Sequence, residues 1–325
     1  MTITRRAALA LPLLAAPGLA RAQAYPDRPL RFICPYAPGG NADVTSRILS
    51  GPLGDALGQP VVVENRAGAG GSVGALAVAR MRADGYTFML GSNGPLSVNP
   101  TIQANLGYDP LKDFAFIGLA CRTAQTIVVK KGLPVTDLKS FMEYARARPG
   151  AVSVGSSGVG STAHLALESF NARTGLQLQH IPFGSGGAMA PNLVAGNIDA
   201  AITEISTSLP LHRDGQARIL ALATPRRSAL APDIATAEEQ GVPGYYEAAF
   251  LGLVLPANPP AGVQARLGEA LGRVLALAET RRRFAEVGSE VAEVGEQTPA
   301  GFQAFLTAEL DRTRQAATRA GLRPA

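Results

Sequence analysis

Pro38-Gly39-Gly40-Asn41-Ala42-Asp43 stands between an apolar run, Leu30 to Cys34, and an amphipathic stretch, Val44 to Leu57, so it reads as a turn from a strand into a helix. Gly155-Ser156-Ser157-Gly158-Val159-Gly160-Ser161-Thr162 repeats the plan between the run from Val152 and the stretch from Thr162 to Ala172. The first turn of a helix leaves backbone N–H groups unpaired, and together with the helix dipole they attract carboxylate or phosphate. Glycine brings that backbone close to a ligand with no Cβ in the way. Two such turns on separate parts of one chain predict a cleft that grips one acidic ligand from both sides.

Outward from these turns the rhythm continues. Runs at Val61 to Glu64, Tyr86 to Leu90, Phe116 to Ala120, Thr126 to Lys130, Leu178 to Ile181, Ile198 to Thr203, Ile219 to Ala223 and Leu251 to Leu255 have strand character. Amphipathic stretches at Val73 to Met81, Ser140 to Ala147 and Val263 to Leu277 alternate with them, and the chain closes on a long one from Pro299 to about Ala320. This predicts an α/β fold with largely parallel sheets. Gly51-Pro52 predicts a kink in the first helix. No linker or repeat splits the chain, so two interleaved domains are expected. The chain would cross near Cys121 to Gln125 and return near Thr224 to Arg227, making a two-strand hinge. Residues 25–122 and 227–325 then form one domain and 123–226 the other.

Residues 1–24 read as an export signal: Arg5-Arg6, an apolar run from Ala7 to Ala16, and Ala22-Gln23-Ala24 before Tyr25. The run is too short to span a bilayer. Thr4-Arg5-Arg6-Ala7-Ala8-Leu9 resembles a twin-arginine signal in part, without the bulky residue usual two places after the arginines. The chain has 325 residues and a net charge of +5, of which Arg5, Arg6 and Arg21 carry three, leaving +2 after the signal. With no long Lys/Arg run, nucleic acid is not the expected partner. Cys34 and Cys121 read as buried small hydrophobes in neighbouring strands rather than as a disulfide.

The candidate ligand residues follow from the turns. Tyr36 precedes the first and is placed against a ligand's carbon skeleton; Ala37, Pro38, Gly39 and Gly40 bring up the backbone, with Asn41 or Asp43 capping the helix. In the second, Ser156, Ser157, Gly158 and Gly160 form the bare surface, and Ser161 or Thr162 is the cap. His164 lies one turn into that helix, facing the cleft or packed among apolar neighbours. Ser92 and Asn93 end a strand where open α/β sheets place ligands, and Phe183-Gly184-Ser185-Gly186-Gly187 offers further amides, with Phe183 and Gly184 taken as ligand contacts. Glu204 is a polar outlier at a strand end, either solvated or accepting a ligand ammonium or hydroxyl. No metal or cofactor is expected. There is no G-x-S-x-G, H-E-x-x-H or C-x-x-C, and Asn65-Arg66-Ala67-Gly68-Ala69-Gly70-Gly71 is not a P-loop. Ser161 and His164 admit a hydrolase or isomerase reading, but a capping serine accounts for them better.

Several motifs together resemble one family. They include Pro35-Tyr36-x-Pro38-Gly39-Gly40-x-x-Asp43, Leu57-Gly58-Gln59-Pro60 through Glu64-Asn65-Arg66-x-Gly68-Ala69-Gly70-Gly71, Asp84-Gly85-Tyr86-Thr87, Gly158-x-Gly160-Ser161-x-x-His164-Leu165, His180-Ile181-Pro182-Phe183 and Pro243-Gly244-Tyr245. The chain is similar to the Bug-type, TctC-like extracytoplasmic receptors of tripartite tricarboxylate transporters. The resemblance implies a type II periplasmic-binding-protein fold, a small organic carboxylate as ligand and a two-subunit integral membrane permease as partner. It also implies a monomeric, periplasmic protein with no enzyme activity; a sensor in place of the permease is the alternative. The ligand turns it implies map onto Ala37 to Asp43 and Ser156 to Thr162. Phe250 replaces a frequent tryptophan, Gly184-Ser185-Gly186 a lysine-bearing loop, and Thr203-Glu204 an aromatic-acidic pair, so no named substrate carries over.

Overall fold

A computed structural model describes residues 25–228 and 230–319; the expected export signal lies outside these residues. The first lobe opens with strand β1 (Leu30–Cys34), helix α1 (Asn41–Leu57), β2 (Val61–Asn65), α2 (Ser72–Ala79) and β3 (Thr87–Ser92). A short helix α3 (Asn99–Ile102) leads to β4 (Phe114–Lys130), a 17-residue strand that leaves this lobe and enters the second. There follow α4 (Leu138–Arg146), β5 (Ser153–Ser156), α5 (Thr162–Thr174), β6 (Gln179–Pro182), α6 (Gly186–Val194), β7 (Ala200–Glu204), α7 (Ile205–Arg213) and β8 (Ala217–Leu222). The chain returns through β9 (Ala248–Pro256) to α8 (Val263–Ala276), α9 (Ala278–Glu286), β10 (Ser289–Val291) and α10 (Pro299–Arg319). No helix among the described residues is long and apolar enough to cross a membrane.

The parallel expectation holds at the outer strands only. β1 pairs in parallel with β2 and β3, and β5 with β6 and β7. β4 and β9 run antiparallel to their partners, including each other. A strand that carries the chain out of a lobe and one that brings it back point opposite ways, which the βα rhythm does not announce. The two runs read separately around Cys121 to Gln125 are one continuous strand, β4. It passes between the lobes with Thr123, Gln125 and Thr126 fully buried. Helix α1 runs through Pro52 as one element.

The return crossing lies later than Thr224 to Arg227. Ala231, Ile234, Ala237, Val242 and Tyr245 are all buried in the second lobe's two core clusters, so the chain stays there until Glu247. At that point Gln125 N–H donates to Glu247 O at 3.0 Å, Glu247 N–H to Ala223 O at 2.9 Å and Ala223 N–H to Gln125 O at 2.8 Å. Three backbone segments are thereby joined where the lobes meet. Each lobe buries both faces of its sheet, which is why the strands read as nearly continuous apolar runs. Cys34 and Cys121 are unpaired and buried, with β3 and β9 between their strands. Burial pushes the Cys34 thiol up to about 11 and the Cys121 thiol up to about 12, so both are inert as nucleophiles.

Candidate functional site

Three helix starts converge on one cavity between the lobes. Gly40 is the N-cap of α1 and provides no side-chain cap, and the first-turn amides of Asn41 and Ala42 at the cavity wall have no partner among the described residues. Ser161 caps α5, its Oγ accepting His164 N–H at 3.2 Å, and the Thr162 amide beside it has no partner among the described residues. Ser185 caps α6 in the same way, its Oγ accepting Ala188 N–H at 3.1 Å, and Gly186 N–H has no partner among the described residues. Tyr36, Ser92, Ser157, Glu204, Ala249 and Leu251 complete the lining. None of the thirteen lining residues is Arg, Lys or His. Positive potential here comes from backbone amides and helix dipoles.

The lobes touch across this cavity at glycines. A Cβ on Gly187 would stand 2.9 Å from Gly39 C, and one on Gly70 would stand 2.5 Å from the Val159 carbonyl oxygen. Asn99, held by Ala69 O, Gly70 O and Ser72 Oγ, also lies against Gly160. Bare backbone on both sides lets the cleft shut this far.

Of the predicted contacts, Tyr36, Gly40, Asn41, Ser92, Ser157, Ser161, Thr162 and Glu204 come together at the cavity. The Tyr36 hydroxyl lies 3.0 Å from Ser92 Oγ and reaches Gly70 O at 3.2 Å, which fixes the ring. Ala37, Pro38, Gly39, Asp43, Asn93, Ser156, Gly158, Gly160, His164, Phe183 and Gly184 do not line it. Asp43 faces backward because stronger partners hold it. Its carboxylate accepts Gly39 N–H at 3.1 Å, Asn65 Nδ2 at 2.9 Å and Arg47 Nε at 3.0 Å. Burial pushes this carboxyl up, but Arg47, Asn65 and Gly39 outweigh it and leave it below its ordinary value. Asp43 therefore shapes the turn without capping the helix. Asn41 does not cap it either, since its Nδ2 reaches Thr123 Oγ1 on β4 at 3.2 Å. Asn93 anchors β9, accepting Phe250 N–H at 2.7 Å and donating to Ala248 O and Glu309 Oε1 at 3.3 Å each.

His164 belongs to the wall behind the second turn. Its Nδ1 accepts Gly160 N–H at 3.2 Å and its ring stacks on His180 at 4.3 Å between centroids, while His180 Nε2 meets Ser156 Oγ at 2.6 Å. The ring's Nδ1 is thus bonded to Gly160 N–H, Ser161 Oγ accepts the His164 N–H, and among the described residues no hydrogen bond links Ser161 Oγ to the His164 ring. Burial, then the facing His164 ring, pulls His180 down to about 4; burial also lowers His164. Unfolded histidine takes up its proton near pH 6.5, before the folded ring does. The contribution of this pair to stability is therefore full above about pH 6.5 and is lost as pH falls toward about 4. Thermal midpoints between pH 7 and 4 are expected to fall less steeply in His180→Gln than in the wild type.

Ala42, Ser185, Gly186, Ala249 and Leu251 are the lining residues not expected as contacts. Ser185 carried a readable signal, a cap-forming residue before a helix start. Ala249 and Leu251 carried none, being members of an apolar strand. Phe250 between them points away, buried against Phe302 and Phe305; the substitution for tryptophan therefore does not alter the cavity wall directly.

The chain matches the model of the tripartite tricarboxylate transporter family receptor over residues 45–321. Protein BugT of Bordetella pertussis is 32% identical over 316 residues, covering 96% of each chain. Among solved structures, the periplasmic binding protein BugD superposes with a TM-score of 0.89 at 28% identity, over 93% of this chain and all of that one. An R. palustris protein solved with adipate also superposes at 0.89, with 31% identity over 93% of this chain and all of that one. The architecture is that of the type II periplasmic binding proteins, two α/β lobes joined by β4 and β9 with the cleft between them. By family match and full-length similarity, the chain belongs to the receptor family of the tripartite tricarboxylate transporters.

Proposed function

We propose that the protein is a periplasmic receptor that closes on a small organic carboxylate and delivers it to the two-subunit membrane permease of a tripartite tricarboxylate-type transporter. The observation that carries this reading is the convergence of three helix starts, α1, α5 and α6, on one cavity free of cationic side chains. Amides alone suffice for such a ligand. Charge-assisted hydrogen bonds contribute roughly 1.5 to 3 kcal/mol each, so three or four cover a large part of micromolar affinity after association costs. Capture requires no turnover, and Ser161 and His164 are engaged in holding the turn.

The test is thermal unfolding of protein stripped of ligand by denaturation and refolding, against mono-, di- and tricarboxylates, aromatic acids and amino acids. A ligand at about a hundred times its dissociation constant adds roughly 2.7 kcal/mol. Silence across the whole panel from well-folded protein overturns the receptor reading. Delivery is checked by uptake into vesicles holding the two membrane subunits, which should require this protein.

A further inference from the structure

We propose that the ligand carries, beside its carboxylate, a hydrogen-bond donor, either ammonium or hydroxyl, and that Glu204 is the specificity-determining residue that receives it. This rests on the carboxylate-receptor reading and narrows it.

Glu204 ends β7 and stands as the N-cap of α7, and its side chain lines the same cavity as the free amides of α1, α5 and α6. It is 8% exposed. Its protein partners are few and distant: Gln125 Nε2 at 3.4 Å on one oxygen and Thr203 Oγ1 at 3.3 Å on the other. No cation pairs with it among the described residues, whereas Asp43 in the first turn is held by Arg47. A carboxylate has about four acceptor sites, and burying it without donors is strongly unfavourable. Burial accordingly pushes the Glu204 carboxyl up, and a donor supplied by the ligand would draw it back toward the ionised form. The space it faces is the ligand cavity, so a bound molecule is what can complete its hydrogen bonding.

The amides and Glu204 then make opposite demands at close quarters. The helix starts select an anion, and Glu204 rejects a second anion in the same small cavity while accepting an N–H or O–H. An acid with a donor satisfies both; the same acid stripped of its donor leaves Glu204 unpaired and adds nothing in return. Gln at this position keeps the shape, loses the charge, and supplies an N–H that tolerates a second carboxylate.

Calorimetric titrations of matched acids decide the matter: alanine, lactate and propionate, then aspartate, malate and succinate, with wild type and Glu204→Gln. The expected result is at least tenfold tighter binding of donor-bearing acids than of their deoxy partners in the wild type, with that preference reduced to within threefold in Glu204→Gln. A preference for alanine and aspartate identifies ammonium as the donor; a preference for lactate and malate identifies hydroxyl. Equal binding of propionate and succinate with their substituted partners overturns the proposal and leaves the receptor reading intact. A preference that survives in Glu204→Gln also overturns it. Binding of no acid in this set or in the wider panel overturns both.

Discussion

Gly187→Ala is expected to fold at least as stably as the wild type and to bind the ligand about a hundredfold more weakly. Gly187 lies in the first turn of α6, where alanine is the better helix former, so the open lobe tolerates the methyl. The obstacle is in the other lobe. Across the closed cleft the added Cβ would stand 2.9 Å from Gly39 C and 3.0 Å from Gly39 O, and neither backbone atom can rotate away. The lobes must stay further apart, which lengthens the amide contacts contributed by at least one of them. Losing one or two charge-assisted hydrogen bonds at roughly 1.5 to 3 kcal/mol each gives a loss of that order. Small-angle scattering adds an independent readout: ligand contracts the wild type but not the variant. Gly272→Ala on α8 is the control, because nothing lies within 4 Å of its Cβ position, and it should leave binding unchanged. Wild-type affinity in Gly187→Ala would mean that the liganded lobes do not meet at Gly39.

The parts of the site that were legible in the sequence are those set by local chemistry. A glycine-rich turn after an apolar strand, followed by a helical pattern, placed the second cap at Ser161 or Thr162 and the start of α1 within a few residues of Gly40, though it assigned that cap to Asn41 or Asp43, because capping and close backbone approach act over short range. The same signal existed at Ser185, one step from the expected contacts Phe183 and Gly184. What escaped was set by long-range register. Asn93 and Asp43 look like ligand groups until Phe250 and Glu309 claim the first and Arg47 and Asn65 the second. His164 is committed to the wall by His180, which reaches it only because β6 lies beside β5. The late return at Glu247 was hidden for a related reason: the described residues between 224 and 247 form almost no regular structure, so no periodicity marks which lobe holds Tyr245 and Val242.

Gly40→Leu is expected to remove binding altogether, a loss of more than a thousandfold, while costing on the order of 1 kcal/mol of stability through the poorer N-cap. The backbone at Gly40 is extended, with φ of −91° and ψ of 174°, so leucine meets no conformational strain. Its Cβ fits as well, 3.5 Å from Ser185 Cβ and 3.6 Å from Gly186 N, both ordinary contacts. The three carbons beyond Cβ would project between the α1 and α6 amides, the position proposed for the ligand carboxylate. Gly187→Ala keeps the cavity and obstructs closure, so raising ligand concentration should recover a weakly bound complex. Gly40→Leu occupies the position of the ligand itself, so no concentration recovers it. Calorimetry on the two variants therefore separates the site from the motion: saturable weak binding in the first with none in the second places the carboxylate against the helix starts. Residual binding within tenfold of wild type in Gly40→Leu would move the ligand out of this cavity.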